Sequence, residues 1–107
     1  MSVIMSLVAA GDPKAVEQYA QGNTEKMRSI LEAAKRHGVI AHRFYGSEDG
    51  SSVLVSDEWP DRQSFESFFQ DQESAIRPIF EAAGVTAPIE PTFWRELATH
   101  DAYGWGA

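Results

Sequence analysis

Two strand-like runs, "GVIAHRFYG" and "SSVLVSDEW", face each other across the turn-rich "SEDG" in the middle of the chain. This hairpin constrains the fold more than any other stretch, because it fixes which residues share a side of a sheet. On the first strand Ile40, His42 and Phe44 share one side, and Ala41, Arg43 and Tyr45 the other. On the second, Val53, Val55, Asp57 and Trp59 lie opposite Leu54, Ser56 and Glu58. Neither strand has a wholly polar side, so both faces of the sheet are expected to be covered.

What flanks the hairpin sets the order of elements. Val3 to Ala9 is an apolar run ended by "AGDP", expected as a strand buried on both faces. Asp12 followed by Pro13 opens a helix, with an acceptor at the cap and proline at the first helical position. That helix carries Val16, Tyr19 and Ala20 as far as "QGN", where Asn23 or Thr24 can cap a restart. Met27, Ile30, Leu31 and Ala34 then form one apolar stripe. The basic turn Lys35, Arg36, His37 beside Gly38 ends it favourably. After the hairpin, Pro60 and Asp61 open a helix bearing Phe65, Phe68 and Phe69. Pro78 predicts a break near Asp71 to Glu73, since proline inside a helix costs about 3 kcal/mol. "VTAPIEP" reads as an extended connection, "TFWREL" as a last strand, and residues 99–107 as an aromatic tail.

The order is β-α-β-β-α-β in one α+β domain over residues 1–107, the ferredoxin-like arrangement. It predicts a four-stranded antiparallel sheet with helices on one face. The other face needs cover, and a second copy of the chain supplies it most simply. Two such sheets facing each other would make a dimeric α/β barrel.

Composition narrows the function classes. The 107 residues carry 16 acidic against 9 basic side chains, a formal net charge of −7. That charge repels nucleic-acid phosphates and anionic lipid, so neither nucleic acid nor membrane is an expected partner. The chain has no cysteine, which rules out disulfides, thiol nucleophiles and thiolate metal sites and suits a cytoplasmic location. "MSVIMSLVAA" lacks the basic start of a secretory signal and is too short to span a bilayer. The three histidines fall in unrelated elements, with no metal-ligand spacing, so no metal is expected. The acidic pairs lack the repeat of a calcium loop. No serine sits in a nucleophile elbow, and neither "GDP" nor "SEDG" resembles a phosphate-cradling loop.

The hairpin after "HGV" and the stretch "VLVSDEWPDRQSFESFF" resemble the dimeric α/β-barrel superfamily, and within it the antibiotic biosynthesis monooxygenase family. The matching positions are Asp57, Trp59 and Phe65, an acid, a spacer and a tryptophan at the third-strand end and then a phenylalanine on the helix. The resemblance implies a homodimer, a small apolar cavity, and oxidation of a small aromatic or polyketide-like substrate without a bound cofactor. Haem-degrading relatives carry a first-strand asparagine and a helical histidine. "SVIMSLVAA" has no asparagine, and Phe68 stands where the histidine would be.

The site residues follow. His42 reads as the general base, because imidazole titrates near neutral pH, or as a satisfied histidine at the sheet surface or dimer interface; if the hairpin register puts it on the face of Asp57, that carboxylate would orient its ring. Trp59 reads both as a strand-to-helix corner anchor and as a pocket wall. Phe44 and Phe68 are expected to contact the apolar ligand, with Arg43 and Tyr45 as further polar contacts. Phe93, Trp94, Tyr103 and Trp105 read as an interface arm or as a lid. Two other function classes fit the same residues. One is a non-catalytic small-molecule-binding or stress-associated barrel, and the other a cofactor-free isomerase, cyclase or decarboxylase.

Overall fold

The computed structural model describes residues 1–105; Gly106 and Ala107, the end of the expected tail, lie outside the described residues. Its elements are β1 (Val3–Ala10), α1 (Pro13–Gly22), α2 (Thr24–Arg36), β2 (Ala41–Gly46), β3 (Ser52–Trp59), α3 (Arg62–Ala82) and β4 (Thr92–Trp94). The four strands form one antiparallel sheet in the order β2-β3-β1-β4. With its helices on one face, the chain has the ferredoxin-like α+β fold.

Local chemistry sets most of the helix ends as the sequence predicts. Asp12 accepts the Lys14 N–H at 2.9 Å, and Pro13 occupies the first turn. Asp61 accepts both the backbone N–H and the hydroxyl of Ser64, at 2.7 and 2.9 Å. At the α1–α2 joint Asn23 makes no side-chain cap; its amide instead donates to the Tyr19 carbonyl at 2.9 Å. Gly38, at φ +94°, closes α2: its N–H bonds to Lys35 and that of Val39 to Ala34, a Schellman ending.

Three expectations need correction. First, α3 runs unbroken through Pro78. The lost hydrogen bond and ring clash cost about 3 kcal/mol. Around the proline, Ile76, Ile79 and Phe80 are all buried, at about 1.5–3 kcal/mol for each apolar side chain removed from water. Their anchoring outweighs the break. Second, β1 is buried on one face of the single chain: Met5, Leu7 and Ala9 point to the helices, while Val8 is 68% exposed on the other side. Third, the last strand is three residues long. Pro91 cannot donate to a ladder, and Trp94 already pairs with Ile4 near the start of β1.

The core lies between the sheet and the helices. Trp59 is its largest fully buried side chain. It meets Phe65 edge-on at 5.8 Å and Phe68 in a tilted contact at 5.2 Å. The opposite sheet face carries Ile4, Val8, Tyr45 and Trp94, all exposed, so in one chain the sheet is covered on a single side.

Candidate functional site

The ladder between β2 and β3 sets the site. Phe44 pairs with Val55 and His42 with Asp57, which places the His42 and Asp57 side chains next to each other on the helix-facing side. His42 Nδ1 lies 2.6 Å from Asp57 Oδ1. The second carboxylate oxygen accepts the indole N–H of Trp59 at 3.1 Å. Asp57 is only 5% exposed and His42 35%, so the carboxylate is enclosed while the ring reaches the edge of the core.

Asp57 is the one charged residue among the buried ones described, and its two partners account for why it is tolerated there. A buried carboxylate is costly unless hydrogen bonds replace its water, and here each oxygen has one. A carboxylate accepts only, so the His42 nitrogen facing it is the protonated one when the ring is neutral. The lone pair is then on Nε2, for which no partner exists among the described residues. This geometry lets His42 take a proton while Asp57 holds the ring and stabilises the resulting cation.

Beside the pair is a cavity of about 60 Å³ between the sheet, α2 and α3. Among the described residues, His42 and Asp57 are the only polar ones on a wall that also includes Phe44, Phe68, Val55 and Met27. Phe44 and Phe68 both line the cavity, as the sequence places them. Trp59 does not line the cavity; it is wholly buried and reaches the site through Asp57. Arg43 and Tyr45 pair with Ser56 and Leu54, on the far face of the sheet, and so are not cavity contacts.

The other histidines are elsewhere. His37, at the end of α2, lies 3.3 Å from Asp71 on α3 and edge-on to Phe68. Hydrogen bonds from Gln72 and then from His37 hold the Asp71 carboxyl below the usual range. His100 lies in the tail at a positive φ. Phe93 packs edge-on against Phe65, and the Arg62 guanidinium sits 4.6 Å above its ring. Trp94 points to the other sheet face and donates to Ser6 Oγ at 2.7 Å, while Tyr103 and Trp105 stand exposed and line no part of the cavity. Among the described residues no three His, Asp or Glu side chains cluster as a metal site would require, and no helix is long and apolar enough to cross a membrane.

Sequence reasoning missed the α2 contribution to the cavity wall, where Met27, Ile30 and Leu31 read only as a core stripe. It also missed the bond from Trp59 to Asp57. The signal was present in "DEW", since residues two apart on a strand share a face.

No known family model matches the chain, and no curated protein matches it. Solved structures do. One is a monooxygenase from the gene ActVA-Orf6 of Streptomyces coelicolor in complex with nanaomycin D. It is 19% identical at TM-score 0.63, covering 92% of this chain and 88% of that one. Another, an antibiotic biosynthesis monooxygenase, is 12% identical at TM-score 0.61, covering 91% and 99%. A dimeric ferredoxin-like protein from an uncultured marine organism is 10% identical at TM-score 0.65, covering 91% and 89%. The chain thus has the ferredoxin-like fold of proteins like the antibiotic biosynthesis monooxygenases. At these identities the likeness defines the fold and leaves the chemistry to the site.

Proposed function

We propose that the protein is a monooxygenase-like enzyme that oxidises a small phenolic, aromatic or polyketide-like substrate, with His42 as general base. One observation carries this reading: an imidazole 2.6 Å from a buried carboxylate, on the wall of an otherwise apolar cavity. An apolar pocket with one convergent polar group suits a planar, mostly apolar ligand with one acidic proton.

In this reading Nε2 takes the hydroxyl proton of the substrate's enol tautomer, and the negative charge spreads over the ring to the CH carbon that is the activated CH₂ of the keto form. That carbon, as its carbanion, adds dioxygen to give a hydroperoxide, and the returned proton completes it. Loss of water then leaves a new carbonyl. One dioxygen supplies the carbonyl oxygen and the water oxygen, and the substrate carbon supplies both hydrogens, so no outside reductant is needed. Oxygen uptake with a panel of hydroxyanthrones tests the assignment. His42→Ala is expected to slow turnover by roughly 10²–10⁴-fold. An unchanged rate in that variant overturns it.

The reading includes a second copy of the chain on the open sheet face, where Ile4, Val8, Tyr45 and Trp94 form an apolar surface with no cover. Sedimentation should show a dimer at micromolar concentration and a monomer for Val8→Asp. A monomeric wild type would remove this part.

A second reading rests on the cavity's size. The cavity is small, about 60 Å³, so a three-ring substrate enters only if side chains such as Phe44 and Met27 move aside. That favours a non-catalytic barrel that binds a smaller apolar molecule. Saturable binding of a one-ring aromatic without oxygen uptake for any phenol in the panel would select it.

A further inference from the structure

The Asp57 carboxylate has two oxygens and two partners, His42 on Oδ1 and Trp59 on Oδ2. Asp57 and Trp59 stand two apart on β3, and His42 is the cross-strand neighbour of Asp57, so one line of hydrogen bonds joins the three. Its two ends differ. His42 is partly exposed and lines the cavity, whereas Trp59 is wholly buried and clasped by Phe65 and Phe68. The indole is the fixed end.

We propose that Trp59 is a positioning residue: its indole N–H orients the group at position 57, which in turn sets the tautomer of His42. The inference rests on the proposed role of His42 as base, but it concerns which ring nitrogen carries the proton. That can be read without any substrate.

An indole N–H only donates, so position 57 must turn an acceptor toward it. A carboxylate does so and still has an acceptor left for His42 Nδ1–H. This holds the ring with its lone pair on Nε2. A carboxamide has a single oxygen. In Asp57→Asn, Trp59 should claim that oxygen and turn the NH₂ toward His42. Nδ1 must then accept, and the proton moves to Nε2. With the indole also removed, in Asp57→Asn/Trp59→Phe, the amide is free to turn either way.

The experiment is a two-bond ¹H–¹⁵N correlation spectrum of ¹⁵N-labelled protein, recorded where imidazole is neutral; nitrogen shifts separate protonated from bare ring nitrogens. Wild type should show His42 as Nδ1–H and Asp57→Asn as Nε2–H. The double variant should show a mixture of the two. An Asn variant that keeps Nδ1–H overturns the proposal, as does a double variant that stays wholly Nε2–H. If neither variant folds, the wild-type spectrum still decides, because His42 found as Nε2–H is incompatible with the proposed chain. The two proposals fail separately. Unchanged oxygen uptake in His42→Ala removes the base and leaves the positioning intact; an unmoved tautomer removes the positioning whatever the activity.

Discussion

His42 meets Asp57 at 2.6 Å across two paired strands, whereas His37 meets Asp71 at 3.3 Å between the end of α2 and the middle of α3. The residue types are the same, but their surroundings are not. Asp57 is 5% exposed and shares a third partner, Trp59, while Asp71 is 50% exposed and its other hydrogen bond comes from its chain neighbour Gln72. Solvent screens the second pair, and long side chains at a surface lose entropy to hold one geometry. The first pair sits in a low-dielectric wall where each hydrogen bond is stronger and each loss more costly. The proposed base therefore belongs to the enclosed pair, although the other also couples two elements of the fold.

Stability separates the two pairs most sharply. Asp57→Ala orphans the indole N–H of a residue with no solvent access, which costs about 1–3 kcal/mol before any effect on His42. In a domain of this size each kcal/mol moves Tm by roughly 4–8 °C. A fall of roughly 4–24 °C is therefore expected in thermal unfolding. Asp71→Ala should lose far less, because an exposed pair contributes little. Equal losses in the two variants would break the comparison.

Activity separates them next. His37→Ala should leave oxygen uptake at the wild-type rate under conditions where His42→Ala removes it. His37 reaches the cavity region only indirectly, by an edge contact to Phe68 at 6.2 Å, so its removal changes packing behind one wall. A His37→Ala rate as low as that of His42→Ala would move the proposed base to the other pair.

How far the sequence reveals this contrast depends on which physical rule acts at each residue. The hairpin is legible because "SEDG" marks its turn and the period-two alternation groups each strand's residues by face; the ladder then puts His42 and Asp57 on the same one. Asp12, Asp61 and Gly38 are legible because capping is a local transaction between neighbours in the chain. Pro78 misleads because its cost is local while the compensation is not: Ile76, Ile79 and Phe80 anchor α3 through residues distant in sequence. The expected burial of β1 on both faces misleads for a related reason. An apolar strand signals that cover is needed, without saying whether the same chain provides it. Trp59 shows the same limit in the site. "DEW" places acid and indole on one side, but only the packing of Phe65 and Phe68 turns the N–H onto Asp57 instead of leaving the ring on the cavity wall.

The smallest expected effect is the most specific to the exposed pair. The Asp71 carboxyl is held below its ordinary value, first by Gln72 and then by His37. A group whose folded-state value is depressed adds stability that is fully present above its unfolded value, about 3.9 for aspartate. That contribution is lost as the pH falls through the folded-state value. The wild type should therefore melt slightly above Asp71→Asn at pH 7, with a gap that stays constant down to about pH 4 and closes below it. The Asn substitution is preferred to Ala here because it keeps the shape and removes only the titration. Thermal melts of both proteins from pH 7 to pH 2 measure the gap directly. A gap that widens in acid would mean that the neutral carboxyl, not the ion, is the form favoured by folding. The exposed pair would then owe its geometry to hydrogen bonding without charge, and the contrast with Asp57 would rest on burial alone.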